Sequence, residues 1–217
     1  MFNYTEGEIV ASKAKKHKKD LRCHALVWHS QLAPFVTATN WTKETLRAAI
    51  VSHITNVAGH FKGRCYAWDV VNEALNEDGT YRESLFYKVL GEEYLTLAFE
   101  TAAKVDPKAK LYYNDYNLEL PGPKIEGAKR IVKLLRDAKI KIDGVGLQAH
   151  LVAESPSNID KHIEVMRDFG KLGLDVALTE LDVRLKTPAT ATNLAQQKLV
   201  YKNVRVSKPR FSFATIP

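Results

Sequence analysis

Short apolar runs alternate with longer amphipathic segments along the chain. The runs are almost continuously apolar, which is typical of strands buried on both faces of a parallel sheet. Strands are predicted at residues 21–28, 66–72, 111–116, 142–150 and 175–183.

Helices are predicted between these strands. Apolar residues three or four positions apart mark the clearest one, namely Leu46, Ile50, Ile54, Val57 and Phe61. Thr5 and Glu8 have the spacing of a capping box, which predicts the start of the first helix. Further helices are predicted over about 92–105, from about 123, after 157 and over about 192–204.

Strands that alternate with helices predict βα units and a parallel sheet, and therefore an α/β fold. Two architectures fit this pattern, an open doubly wound sheet and part of a (β/α)₈ TIM barrel. No G-x-G-x-x-G sequence follows a predicted strand, which argues against the dinucleotide-binding form of the open sheet.

Composition restricts the class of protein. The chain has 217 residues, of which 45% are hydrophobic and 26% charged, as in ordinary soluble domains. No apolar stretch is long enough for a membrane span, and residues 1–10 do not resemble a signal peptide. The formal net charge is +7, but the lysines clustered at 13–19 are interpreted as a solvated helix face rather than a polyanion site. Two cysteines exclude a disulfide scaffold, and we expect Cys23 and Cys65 to be free buried thiols.

Polar residues cluster where the predicted strands end. In barrels and open α/β sheets, sites form at the carboxyl ends of the strands. The candidates are His24, Trp28, His29, Gln31, Asp69, Asn72, Glu73, Asn114, Asp115, Tyr116, Asn117, Gln148, His150, Glu180 and Asp182.

Glu73 and Glu180 are the strongest candidates for catalysis. A lone glutamate at a strand end is usually part of a salt bridge, but each of these two lies within a polar group of residues. Two carboxyl groups at one site suit glycoside hydrolysis, in which one donates a proton and the other is an ionised nucleophile.

The remaining candidates have structural alternatives. His24 is either a hydrogen-bonded core histidine or a site residue, and Tyr116 is equally core or site. Trp28 is either core or a stacking surface for a sugar ring. His150 is interpreted as a partner that tunes Glu180. His24 and His29 face opposite sides of a strand, and neither H-E-x-x-H nor C-x-x-C occurs, so no metal site is predicted.

Five segments together resemble glycoside hydrolase family 10, the endo-1,4-β-xylanases, most closely the fungal members. They are HALVWHSQLAPFV, CYAWDVVNEAL, LYYNDYNLE, GVGLQAHL and ALTELDV. The resemblance covers about residues 2–203. It implies a (β/α)₈ barrel, retaining hydrolysis of β-1,4-xylan, no cofactor and an extracellular location.

The resemblance also implies residue roles. Glu73 in WDVVNE corresponds to the acid/base, and Glu180 in TELD corresponds to the nucleophile. Asn72 is expected to bind the sugar 2-hydroxyl, and His150, with Asp182 behind it, is expected to contact the nucleophile as well as substrate. The other implied cleft residues are His24, Trp28, Gln31, Tyr116 and Gln148.

The chain is shorter than the typical barrel of about 250 residues. Its five predicted strands resemble barrel strands 3 to 7, and strands 1, 2 and 8 are expected to be missing. We therefore predict an incomplete TIM-barrel catalytic domain over residues 1–204 and a divergent tail over 205–217. A full domain is expected to be a monomer, whereas open barrel edges favour self-association.

Other functions remain open on the sequence. The main alternative is a catalytically impaired fragment that at most binds xylan or xylo-oligosaccharides. Nucleic-acid binding rests only on the positive charge, and a metal-dependent hydrolase lacks a ligand motif. Neither a nucleic acid nor a membrane is expected as a partner.

Overall fold

Helices and strands alternate in the computed structural model, which describes residues 2–155 and 158–206. The elements are α1 (Thr5–Lys16), β1 (Leu21–Trp28), α2 (Pro34–Ala38), α3 (Lys43–His60), β2 (Cys65–Asn72), α4 (Leu85–Leu90), α5 (Glu93–Val105), β3 (Lys110–Asp115), α6 (Pro123–Asp137), β4 (Gly144–Leu147), β5 (His150–Val152), α7 (Ile159–Lys171), β6 (Asp175–Leu178), β7 (Asp182–Arg184) and α8 (Ala191–Val206). The predicted α/β class is confirmed.

The chain divides into two compact units. Among the described residues, the first comprises 2–74, 81–113 and 131–143, and the second comprises 75–80, 114–130, 144–155 and 158–206. Strand β3 contributes its first four residues to the first unit and its last two to the second.

In the first unit, β1 pairs with β2 in parallel, and β3 follows β2 in the sheet. The register places Trp28 opposite Asn72, so the polar ends of β1 and β2 are level. Helices α3 and α5 pack together and bury Leu46, Ile54 and Phe99. This apolar core supports the two strand ends.

In the second unit, β4 pairs with β6 in parallel, from Gly144 opposite Asp175 to Leu147 opposite Leu178. A separate pair of short parallel strands, β5 and β7, places His150 opposite Asp182. Helix α7 packs against β6, and α8 packs against β7.

The predicted strands at 142–150 and 175–183 are each shorter and interrupted. Strand β4 ends at Leu147, and Ala149 adopts a φ of 62° before β5 begins at His150. Strand β6 likewise ends at Leu178, ahead of Glu180. Gln148 and His150 therefore do not belong to one continuous strand, and neither do Glu180 and Asp182.

The predicted capping box of α1 is wrong. The Thr5 N–H donates to the side-chain oxygen of Asn3 at 3.0 Å. Glu8 instead binds Arg64 with both carboxylate oxygens, at 2.6 and 3.0 Å. The Arg64 guanidinium, in the turn between α3 and β2, outcompetes the local backbone amide, because a bidentate ion pair is the stronger contact.

The prediction of free cysteines is also wrong. Cys23 and Cys65 form a disulfide, with Cα atoms 5.8 Å apart. Both lie near the start of adjacent paired strands, where the Cα separation falls within the range that a disulfide spans. The strand pairing brings the two sulfurs together.

Within the described ranges, no helix is long and apolar enough to cross a membrane. Helix α8 runs to Val206, past the predicted boundary at residue 204. The rest of the predicted tail, 207–217, lies outside the described residues.

Candidate active site

Glu73 follows directly after β2 and is held by groups from three segments of the first unit. The Trp28 indole N–H donates to Glu73 Oε2 at 2.9 Å, and the Asn72 amide donates to Oε1 at 3.3 Å. The Arg82 Nε–H donates to the Glu73 carbonyl at 3.1 Å. Both carboxylate oxygens therefore accept hydrogen bonds.

The backbone of Glu73 adopts a φ of 55°. This left-handed conformation is uncommon outside glycine and costs on the order of 1–3 kcal/mol. Such conformations persist only where surrounding contacts hold them in place, and they are frequent at functional sites. The backbone geometry therefore marks Glu73 as a candidate functional residue, independently of its chemistry.

His24 is held in place by Asp69, which is buried and only 1% exposed. His24 Nδ1 lies 2.9 Å from Asp69 Oδ2, while Arg22 pairs with the other Asp69 oxygen. The Arg22 guanidinium lies 4.2 Å from the centre of the Tyr112 ring. The buried carboxylate thus orients the His24 imidazole, whose side chain is 39% exposed.

His29 lies near this group and has a lowered pKa. Burial is the main cause, the positive charge of Arg82 acts in the same direction, and Glu73 opposes both. His29 therefore favours the neutral form beside Glu73.

Glu180 lies between β6 and β7 and is held on both carboxylate oxygens by groups of the second unit. The Asn114 amide donates to Oε1 at 3.0 Å, and His150 Nε2 lies 3.4 Å from Oε2. The other ring nitrogen of His150 lies 2.9 Å from Asp182 Oδ2. The chain of contacts runs from Asp182 through His150 to Glu180.

Tyr116 stands beside a buried lysine. Lys124 Nζ lies 3.5 Å from the centre of the Tyr116 ring, 3.0 Å from Asp115 Oδ1 and 2.9 Å from Glu77 Oε1. Asn117 also donates to Glu77, at 3.1 Å. These charges fix the loop that follows β3.

A cavity of about 440 Å³ lies in the second unit next to this loop. Its wall includes Glu77, Asn117, Glu119, Lys124, His150 and His162. Within the part of the chain that the structure describes, no group of three or more His, Cys, Asp or Glu side chains is placed to hold a metal ion.

The structure groups the predicted site residues within each unit. Trp28, Asn72 and Glu73 lie at the ends of β1 and β2, and Asn72 is buried. His24 was predicted at a strand end but lies in the middle of β1, opposite Asp69. Gln148, His150, Glu180 and Asp182 lie around the ends of β4 and β6, and Tyr116 follows β3. Gln31 lies in the loop after β1 and is exposed, with a φ of 52°.

Two contributors were missing from the predicted roles. Asn114 is fully buried and binds both Glu180 and Thr179. Glu119 is a buried carboxyl that binds a backbone amide. Asn114 had a sequence signal, because it opens a polar run at a strand end, whereas Glu119 stands in a loop and its partner is set by the fold.

The fold and these groups define a parallel α/β protein that carries hydrogen-bonded carboxylates at its strand ends. Residues 1–208 match the family model for glycosyl hydrolase family 10. The chain belongs to this family, and the resemblance found in its motifs is confirmed.

Similar proteins include fungal xylanases. Endo-1,4-beta-xylanase A of Humicola insolens is 74% identical over 204 residues, which cover 94% of this chain and 54% of that protein. Endo-1,4-beta-xylanase D of Talaromyces funiculosus is 50% identical over 201 residues, covering 93% and 49%. The chain spans about half the length of these curated relatives.

The similar solved structures are also xylanases. Penicillium canescens endo-1,4-beta-xylanase XylE matches with a TM-score of 0.95 at 40% identity, covering 100% of this chain and 68% of that one. The family 10 xylanase of Bispora sp. MEY-1, solved with xylobiose, matches with a TM-score of 0.95 at 42% identity and the same coverage. Coverage of about two thirds of each xylanase chain is consistent with the predicted partial barrel.

Proposed function

We propose that this chain carries the catalytic residues of an endo-1,4-β-xylanase that hydrolyses β-1,4-xylosidic bonds with retention. The observation that supports this most directly is the arrangement around Glu180. One carboxylate oxygen accepts from Asn114 and the other faces His150, so the carboxylate is oriented by two elements. A nucleophile needs this kind of fixed orientation.

In the proposed reaction, Glu180 attacks the anomeric carbon of the sugar on one side of the scissile bond. Glu73 donates a proton to the departing glycosidic oxygen, and a covalent glycosyl ester forms on Glu180. Glu73 then removes a proton from water, which attacks the same carbon and releases Glu180. Each of the two displacements inverts the anomeric centre, so the product retains its configuration.

The remaining residues have proposed substrate roles. Asn72 binds the 2-hydroxyl of the reacting sugar. The cleft is lined by His24, Trp28, Gln31, Tyr116, Gln148 and His150. His150 also supports the nucleophile, with Asp182 behind it, as their contacts of 3.4 and 2.9 Å allow. The reaction uses no cofactor.

Two substrates separate the roles of the glutamates. The leaving group in xylan is a sugar hydroxyl, which needs a proton in order to depart. In a 2,4-dinitrophenyl xylobioside the leaving group is 2,4-dinitrophenolate, which departs without a proton. Glu180→Gln is expected to lose at least about 10³-fold in kcat on both substrates. Glu73→Gln is expected to lose xylan hydrolysis but to keep the rate of aryl release in the first displacement.

Glu154→Gln is the matched control, because Glu154 is an exposed glutamate of the second unit. It is expected to retain the rate of the original chain. Proton NMR of the first-formed sugar gives an independent test, since retention yields the β-anomer first. Wild-type turnover by Glu180→Gln, or an α-anomer first product, contradicts the assignment.

The alternative is a fragment that binds xylan without cleaving it, and the partial coverage of the relatives keeps this alternative open. A folded, soluble chain that binds xylan beads and releases no reducing sugar establishes the alternative. Sedimentation of the same sample tests whether this chain self-associates, as open barrel edges favour, or stays a monomer, as expected of a full domain.

We also propose an extracellular location. The Cys23–Cys65 disulfide supports it, because disulfides persist in oxidising compartments and are rare in the cytosol. Detection of the chain in the culture medium and in washed cells of a producing organism checks the location directly. Recovery from the cells alone contradicts the proposal.

A further inference from the structure

Glu119 is a buried carboxyl that the proposed reaction does not use. The residue is 5% exposed, and its Oε1 accepts the N–H of Ala149 at 2.7 Å. It stands in the loop after β3, 30 positions before its partner. A buried carboxyl in a loop is uncommon, so this contact calls for a physical reason.

The contact holds a turn with an uncommon backbone conformation. Ala149 is 1% exposed and has a φ of 62°, which side-chain-bearing residues rarely adopt. The Gln148 N–H donates to the Asp115 carbonyl at 3.0 Å. The N–H of the next residue, Ala149, donates to the Glu119 side chain instead of to a backbone carbonyl.

The same turn sets the position of the Glu180 segment. The Gln148 carbonyl accepts the Glu180 N–H at 3.1 Å, and the Ala149 carbonyl accepts the Asp182 N–H at 3.3 Å. The turn therefore connects Glu119 on one side with the backbone of Glu180 and Asp182 on the other. His150, the next residue, contacts both of those side chains.

The charge state of Glu119 does not decide this contact. Burial raises the pKa of the carboxyl, while the Ala149 N–H, its own backbone N–H, His150 and Lys124 act in the opposite direction. A carboxyl oxygen accepts a hydrogen bond whether the group is ionised or protonated. The length of the Glu119 side chain therefore matters more for this hydrogen bond than its charge does.

We propose that Glu119 is a positioning residue for Glu180 and His150, acting through the Gln148–Ala149–His150 turn. The proposal rests on the proposed function of Glu180. A displacement of about 1 Å at a reacting group costs on the order of 10²-fold in rate. Loss of the Glu119 contact is thus expected to lower kcat far more than it changes KM.

A pair of substitutions separates reach from charge. Glu119→Asp keeps the carboxyl but is one methylene too short, and it is expected to lose about 10- to 100-fold in kcat. Glu119→Gln keeps an oxygen at the same reach, and it is expected to stay within about threefold of the original chain. The matched control is Glu154→Asp, because Glu154 accepts the Lys186 N–H at 2.8 Å but is exposed.

Hydrogen exchange at the Ala149 amide gives a readout independent of activity. Exchange is expected to be at least about tenfold faster in Glu119→Asp than in the original chain, and unchanged in Glu119→Gln and Glu154→Asp. If the original chain hydrolyses no xylan, the proposed function fails, and this exchange rate still decides whether Glu119 holds the turn.

Three results overturn the proposal. In the first, Glu119→Asp keeps the original kcat. In the second, Glu119→Asp loses kcat while the Ala149 amide stays protected from exchange, which shows that the loss of rate does not arise from the turn. In the third, Glu119→Gln is as impaired as Glu119→Asp, which shows that an acceptor oxygen at the same reach does not hold the turn. If Glu119→Asp does not fold, Glu119→Gln alone decides, since lost activity or lost protection in that variant rejects the proposal.

Discussion

Asn114 donates a hydrogen bond of 3.0 Å to Glu180, although the two residues stand 66 positions apart. The orientation of Asn114 is itself fixed, because its side-chain oxygen accepts the Thr179 hydroxyl at 2.7 Å. Thr179 immediately precedes Glu180. A side chain on β3 therefore holds both the proposed nucleophile and the residue before it.

Asn114→Asp is expected to shift the pH dependence of activity. The substitution replaces the amide donor with a second carboxylate at hydrogen-bond distance from Glu180, and a like charge at that distance disfavours the doubly ionised pair. The acid limb of kcat/KM, which reports groups of the free enzyme, is expected to move up by about one pH unit or more. Asn114→Ala is the control, with lower activity and no such upward shift. An acid limb that stays in place in Asn114→Asp contradicts the prediction.

Lys124→Met is expected to destabilise the second unit. The Lys124 side chain is 3% exposed and pairs with Asp115, which is fully buried. Removing one partner of a buried pair leaves an uncompensated charge, at a cost of about 3–5 kcal/mol. Lys129→Met is the matched control, because Lys129 pairs with Glu126 at the surface and such pairs contribute less than about 1 kcal/mol. Urea unfolding measures both, and equal losses refute the distinction.

Reduction of the disulfide is expected to destabilise the first unit without touching the proposed catalytic groups. The bridge closes a sequence separation of 42 residues, for which chain entropy gives about 4 kcal/mol, and measured effects are often smaller. A Cys23→Ala/Cys65→Ala variant is expected to lose about 2–4 kcal/mol in the free energy of unfolding. Dithiothreitol is expected to destabilise the original chain and to leave the variant unchanged. Equal responses to dithiothreitol contradict the prediction.

Glu8 is expected to make stability depend on acid pH. Hydrogen bonds from Arg64 and then from His60 lower its pKa from 4.5 to about 2. Because the folded pKa lies below the unfolded value, the stabilisation is fully present above about pH 4.5 and is lost as pH falls through 2. The unfolding free energies of the original chain and Glu8→Gln should therefore converge in that window. Glu6→Gln, a change at an exposed residue of the same helix, is the control, and a constant difference for Glu8→Gln rules out the linkage.

Local patterns predicted most of the regular elements. The stripe from Leu46 to Ile54 marked α3, and continuous apolar runs marked β1, β2 and β3, because burial repeats with the period of the element. The short helices α2 and α4 were not predicted, since five or six residues show too little periodicity. The break at Ala149 was not predicted either, because nothing in an alanine codes for a positive φ.

By itself, the sequence determined the α/β class, the family and the polar strand ends, since motifs and periodicity are properties of neighbouring residues. Only the tertiary structure decided which polar groups meet. The register of parallel strands joins Cys23 to Cys65, and packing across the second unit joins Asn114 to Glu180 and Glu119 to Ala149. These pairs depend on contacts between distant segments, which burial and backbone hydrogen bonding fix only once the chain has folded.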